Sequence, residues 1–148
     1  MFDKFKDIIN KATTEGVSIP ITAKMMASLI EKKSGEEDID VHISPEYIVL
    51  RGTTEVKKMM LKKKVAFTVT LKPVQIEKRT ILFQLVGMKP VNVNFINHKL
   101  FNRPPFFEYH NRMIKIDFNA WDMVKKVPFG QIKSFELVEG ALNIKLAL

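Results

Sequence analysis

The chain has 148 residues, 46% hydrophobic and 27% charged, a globular composition for one domain that excludes a disordered or collagen-like polymer. It has no cysteine, which excludes a disulfide framework, a thiolate metal site and a cysteine nucleophile. With 24 Lys and Arg against 16 Asp and Glu, the net charge of +8 favours anionic partners.

The first 35 residues read as helical. Phe2, Phe5, Ile8, Ile9 and Ala12 recur at spacings of three and four, and Gly16 stops the pattern. Ser18-Ile19-Pro20-Ile21 reads as a linker. Thr22 then caps a second helix whose apolar stripe is Met25, Met26, Leu29 and Ile30, with Lys32 and Lys33 in its last turn and Gly35 beyond it. No run approaches the 18 or so apolar residues of a membrane-spanning helix, and charges interrupt Met1 to Asp7 where a secretory signal would be apolar. The expected location is therefore cytoplasmic, peripheral to a membrane where one is met.

From Asp38 the period changes to two. Ile39, Val41 and Ile43 alternate with polar residues, Ser44-Pro45-Glu46 turns the chain, and Tyr47 to Arg51 forms the next strand. Val65, Phe67, Val69 and Leu71 give the cleanest alternation, with Pro73 marking a break or an edge. Ile81, Phe83 and Leu85 form another strand, Val91, Val93 and Phe95 another, and Ile114, Ile116 and Phe118 another. Residues 96 to 109 read as irregular around Pro104-Pro105, and Asn119 to Lys126 as a short helical turn. Phe135 and Leu137, a Glu139-Gly140 turn, and Leu142, Ile144 and Leu146 predict a terminal hairpin. The expected fold is α+β over residues 1–148. Two N-terminal helices (about 1–35) pack on one strongly curved antiparallel sheet of seven or eight strands (about 38–148).

Catalytic signatures are missing. His42, His98 and His110 stand at no metal-ligand spacing, the six glycines are scattered singly, and no nucleophile elbow occurs. The sequence thus points away from a conventional enzyme and names no cofactor or metal. The one enzymatic rival is a polar cleft near Pro104-Pro105 that uses His98, His110 or Glu108.

Three features suggest binding. Lys57, Lys58, Met59, Met60, Leu61, Lys62, Lys63 and Lys64 place five lysines around three flexible apolar residues. That pattern suits an anionic membrane surface, with lysines on headgroups and apolar side chains in the interface. The competing reading is a strand whose apolar residues face the core. Five of the 11 Phe and 2 Tyr fall within residues 95–109, as a cover over the core or the mouth of an apolar cavity. The eight methionines add adaptable apolar surface. Met25, Met26, Phe67, Phe83, Phe101, Phe106 and Phe107 are the expected contacts of a lipid or other apolar ligand. Nucleic acid is disfavoured, because Lys rather than Arg dominates and aromatics are sparse near the lysine run.

Three segments resemble small bacterial tubular lipid-binding (TULIP-like) domains. They are the helix from Thr22 to Lys33, the strand and turn Tyr47-Ile48-Val49-Leu50-Arg51-Gly52 that opens the alternation, and the close Leu137-Val138-Glu139-Gly140-Ala141-Leu142-Asn143-Ile144. The resemblance implies an apolar groove for acyl chains and no catalysis. The expected function is a non-enzymatic lipid or hydrophobic-ligand binding module, peripheral to an anionic membrane. The alternative is a basic adaptor for an acidic protein or nucleic acid, and an exposed sheet edge offers a route to a homodimer.

Overall fold

A computed structural model describes residues 16–58, 60–89 and 94–148. The predicted helix from Phe2 to Ala12 lies outside them. The chain order is β1 (Val17–Thr22), α1 (Ala23–Ser34), β2 (Asp40–Ile43), β3 (Ile48–Lys58), β4 (Leu61–Glu77), β5 (Thr80–Lys89), α2 (Asn94–Phe101), β6 (Phe107–His110), β7 (Met113–Asp117), a 3-10 turn (Phe118–Ala120), α3 (Asp122–Lys125), β8 (Gln131–Val138) and β9 (Ala141–Ala147). The strands form two antiparallel sheets, one ordered β1-β9-β8 and the other β2-β3-β4-β5-β7-β6.

This overturns the expected fold of two leading helices on a single curved sheet. The described part is predominantly β, with 57% of it in strands divided between two sheets. The segment taken as a linker is β1. Ile19 and Ile21 turn inward and pair with Ile144 and Leu142, as strand alternation requires. Pro20 is tolerated because β1 is an edge strand.

α1 follows β1 directly. The Thr22 side chain accepts a hydrogen bond from the Met25 amide at 3.2 Å, and Gly35 ends the helix at φ 77° with its amide donating to the Glu31 carbonyl. Met26, Leu29 and Ile30 are its buried stripe. α2 occupies residues expected to be a strand end at Phe95 and an irregular loop from Ile96, while residues 90–93 lie outside the description. A cis bond joins Pro104 to Pro105 in the turn between α2 and β6.

β4 runs on through Pro73, and its ladder with β5 shifts register between Thr70 and Leu71 and again between Pro73 and Gln75. β3 begins opposite Leu71, so Pro73 lies beyond it as an edge position on that side, the place a missing N–H is tolerated.

The inward residues of both sheets and of the helices form one core, including Phe67, Phe83, Phe107, Phe118 and Ile144. Two backbone bonds tie the sheets together at separate points. The Gly140 amide donates to the Ile43 carbonyl and the Ile132 amide to the Lys78 carbonyl, both at 2.8 Å. Gly140 also accepts from the Ala23 amide, so one turn holds β2 and the start of α1. Its φ of 86° makes glycine the suitable residue there.

Arg79, in the β4–β5 turn, is the main polar staple. Its guanidinium donates to the Gly130, Val124 and Val127 carbonyls and to Asn119 Oδ1, at 2.8 to 3.1 Å. The three carbonyls lie from the end of α3 to the start of β8, and Asn119 lies in the 3-10 turn before α3. Arg79→Met keeps the stem and removes all four donated bonds, though the Val124 carbonyl keeps the Val127 amide, so it should cost about 3 kcal/mol. Thermal unfolding should fall by roughly 6–12 °C in a chain of this size. A change under about 2 °C would show that solvent replaces those bonds freely.

Candidate functional site

β3 and β4 form a hairpin that outruns its neighbours. On one side β2 stops at the Asp40–Arg51 pair, and on the other the β5 pairing stops at Lys89 with Thr68. Beyond those points the ladder continues for seven pairs, from Gly52 with Phe67 to Lys58 with Leu61. Among the described residues no strand flanks it. At about 3.4 Å per residue this two-stranded arm is about 20 Å long.

The root of the arm is packed. A Cβ on Gly52 would lie 3.0 Å from Ile39 Cδ1 and from the Phe67 ring, so glycine lets the ring cross the strand at close contact. Thr54 is buried, and its hydroxyl donates to Glu36 Oε1 at 3.0 Å. Toward the tip the burial ends. Glu55 and the whole run Leu61 to Lys64 are exposed, so both faces of β4 meet solvent there. Lys62 and Lys64 share one face with Glu55, and Lys63 and Leu61 take the other. Lys62 Nζ lies 3.8 Å from Glu55 Oε1, an exposed pair of little energetic weight.

At the turn Met60 is 91% exposed and Leu61 74%. The competing expectation, that these apolar residues face the core, does not match their placement. Met60 has φ 70°, the left-handed region that two-residue hairpin turns ordinarily fill with Gly or Asn. An unbranched apolar side chain there adds backbone strain and gains no burial within the chain. Lys57 and Lys58 close β3, while Met59 lies outside the described residues.

The seven expected ligand contacts are placed differently. Met26, Phe67, Phe83, Phe101 and Phe107 are all buried in the single core. Phe83 stacks on Phe118 with ring centroids 6.4 Å apart. Phe106 is half-buried, with Lys33 Nζ 4.7 Å from its ring centroid. Met25 is half-buried on an open groove of about 470 Å³ beside α1, shared with Leu29, Lys32 and Trp121. The Trp121 indole donates to the Met25 carbonyl at 3.3 Å, which fixes that wall.

The segment proposed for an enzymatic cleft holds packing contacts. The His98 ring meets Tyr109 edge-on at 5.0 Å, and Asn97 donates to the Tyr109 hydroxyl at 3.3 Å. Asn97 is itself buried. Glu108 and His110 are exposed on β6. His42, on β2, lies 3.5 Å from Glu139 on the β8–β9 turn. Among the described residues no three His, Asp or Glu converge as metal ligands would, and no helix is long and apolar enough to cross a membrane.

The sequence singled out the lysine run. It did not reveal that, among the described residues, both neighbouring pairings reach only to Arg51 and Thr68 and leave the run as an arm, nor that Glu36 and Lys99 meet near its root. Comparison of the chain with protein-family models, with curated proteins and with solved structures finds no match, so its functional reading rests on its own geometry.

Proposed function

We propose that the protein is a non-enzymatic module that docks on anionic membrane surfaces through the tip of the β3–β4 arm. The observation that carries this reading is the apolar pair Met60 and Leu61, exposed at the end of a ribbon bearing lysines. Entry of these side chains into the interfacial zone removes apolar surface from water. Each lysine near the headgroups adds about 1 kcal/mol. Lipid, the ligand class implied by the TULIP-like resemblance, stays as the partner, and the contact moves from an internal groove to the arm. A nucleic-acid adaptor would favour arginines and stacking aromatics on the arm, where Met60 and Leu61 stand instead.

Sedimentation with vesicles tests this. Vesicles of phosphatidylglycerol in phosphatidylcholine should carry the protein down, and pure phosphatidylcholine should not. Binding should weaken strongly as salt rises from about 0.05 to 0.3 M, since the charges at the tip are exposed and screened. Among the described residues Lys62 and Lys64 take one face of β4 and Lys63 the other, so these three do not converge on a single headgroup. Phosphatidylserine and phosphatidylglycerol at equal anionic fraction should therefore bind within about twofold of each other. Equal binding to neutral vesicles, or none to either, would overturn the proposal.

The internal-ligand reading keeps one observation on its side, the open groove beside Met25. Native mass spectrometry checks it. A mass excess over the denatured chain, recovered as lipid, would transfer the function to that groove.

A further inference from the structure

A membrane-docking arm binds best when the body holds it at a fixed angle, because a freely swinging tip presents its apolar pair in the right pose for only part of the time. The root of this arm carries a polar cluster that draws on three separate elements. Glu36 stands just beyond α1, and its Oε1 accepts from Lys99 Nζ at 2.8 Å and from the Thr54 hydroxyl at 3.0 Å. Lys99 comes from α2 and also donates to the Glu55 carbonyl at 3.1 Å, on the arm itself. The pair is largely shielded, with side-chain exposures of 14% for Glu36 and 27% for Lys99. Glu36 is fixed in turn. Its amide donates to Ser34 Oγ at 3.2 Å, and the Ser34 hydroxyl donates to the Ile30 carbonyl at 2.6 Å.

This arrangement differs from the Lys62–Glu55 pair farther along the arm, where both partners are exposed and the distance is 3.8 Å. A shielded charge-assisted pair at 2.8 Å is short and directional. Its bonds span the α1–β2 connection, α2 and β3, so the arm cannot tilt without stretching one of them. Neighbouring strands hold β3 and β4 only as far as Arg51 and Thr68. The cluster takes over the restraint where the ladder neighbours end.

We propose that Glu36, Lys99 and Thr54 form a brace that sets the arm's angle and thereby its competence to dock. They are positioning residues and do not themselves meet the membrane. The inference rests on the docking role proposed above, and its test separates the two. The chain has no cysteine, so Leu61→Cys with Met123→Cys gives two unique spin-label sites, one at the tip and one on exposed α3. Pulsed electron resonance on this pair, without vesicles, should give a narrow distance distribution. Adding Glu36→Gln or Lys99→Met should broaden it while near-ultraviolet circular dichroism stays unchanged.

Vesicle binding is then measured on cysteine-free chains carrying Glu36→Gln or Lys99→Met alone, with all tip residues intact. If the arm holds its docking pose about a third of the time, apparent affinity falls about threefold. A broadened distribution with weaker binding supports the brace. An unchanged distribution overturns it as a mechanical device. A broadened distribution with unchanged binding overturns its role in docking and leaves the docking surface standing. If the unmodified chain binds no vesicles, the docking reading fails and with it the proposed purpose of the brace, whatever the distances show.

Discussion

Replacing Met60 and Leu61 together by aspartate should abolish binding to anionic vesicles and leave the melting temperature unchanged. Both side chains lie mostly in solvent, Met60 at 91% and Leu61 at 74% exposure, so the fold loses little packing when they go. Surface changes of this kind usually stay within about 0.5 kcal/mol. At the membrane the balance reverses. Burial of a Met or Leu side chain is worth about 1.5 kcal/mol or more, and two new carboxylates are repelled by anionic headgroups. The combined loss of about 3 kcal/mol corresponds to roughly 100-fold in affinity. Binding within threefold of the parent would remove the arm tip from the account.

Met60→Gly sharpens the same test. Glycine suits φ 70° better than methionine does, so stability should hold or rise slightly while docking weakens. A residue whose removal helps the fold and harms binding is placed for binding. A fall in both would indicate that Met60 packs on the arm.

Phe83→Ala should be the most damaging single truncation among the aromatic residues read from the sequence as ligand contacts. Phe83 is fully buried on β5, opposite Pro73 on one side and Ile114 on the other, and stacks on Phe118. Emptying such a site costs about 3–5 kcal/mol, because the transfer term and the cavity term add. Thermal unfolding should fall by roughly 10 °C. The result separates a core side chain from the wall of a ligand space. A wall already bordering a cavity has fewer partner atoms to lose. A loss under about 1 kcal/mol would therefore return Phe83 to the ligand reading.

The same distinction between core and ligand wall is invisible in an apolar pattern. Met and Phe at helix or strand spacing look alike whether they face a neighbour or a ligand, since periodicity reports which face is apolar and not what fills the space opposite. Phe67 and Phe107 are both buried in the one core that the sheets and helices form together, a closure that periodicity along either strand does not report.

Local chemistry determined much of this chain. The Thr22 cap, the Gly35 stop, the alternation from Val65 to Leu71 and the Glu139-Gly140 turn each follow from residues within a few positions, because hydrogen bonds and steric limits over that range are set by the residues themselves. The lysine run around Met60 and Leu61 was equally plain. Tertiary structure decided the rest. Ser18 to Ile21 became a strand only because β9 lies alongside it, and the nine strands among the described residues divided into two sheets because pairing partners are chosen across the whole chain. Among the described residues the arm stands clear because the β2 and β5 pairings reach only to Arg51 and Thr68, and Glu36 and Lys99 meet at its root from two separate elements. Alternation specifies a strand's buried face, whereas its neighbours, its free length and its distant ion pairs depend on how the whole core closes.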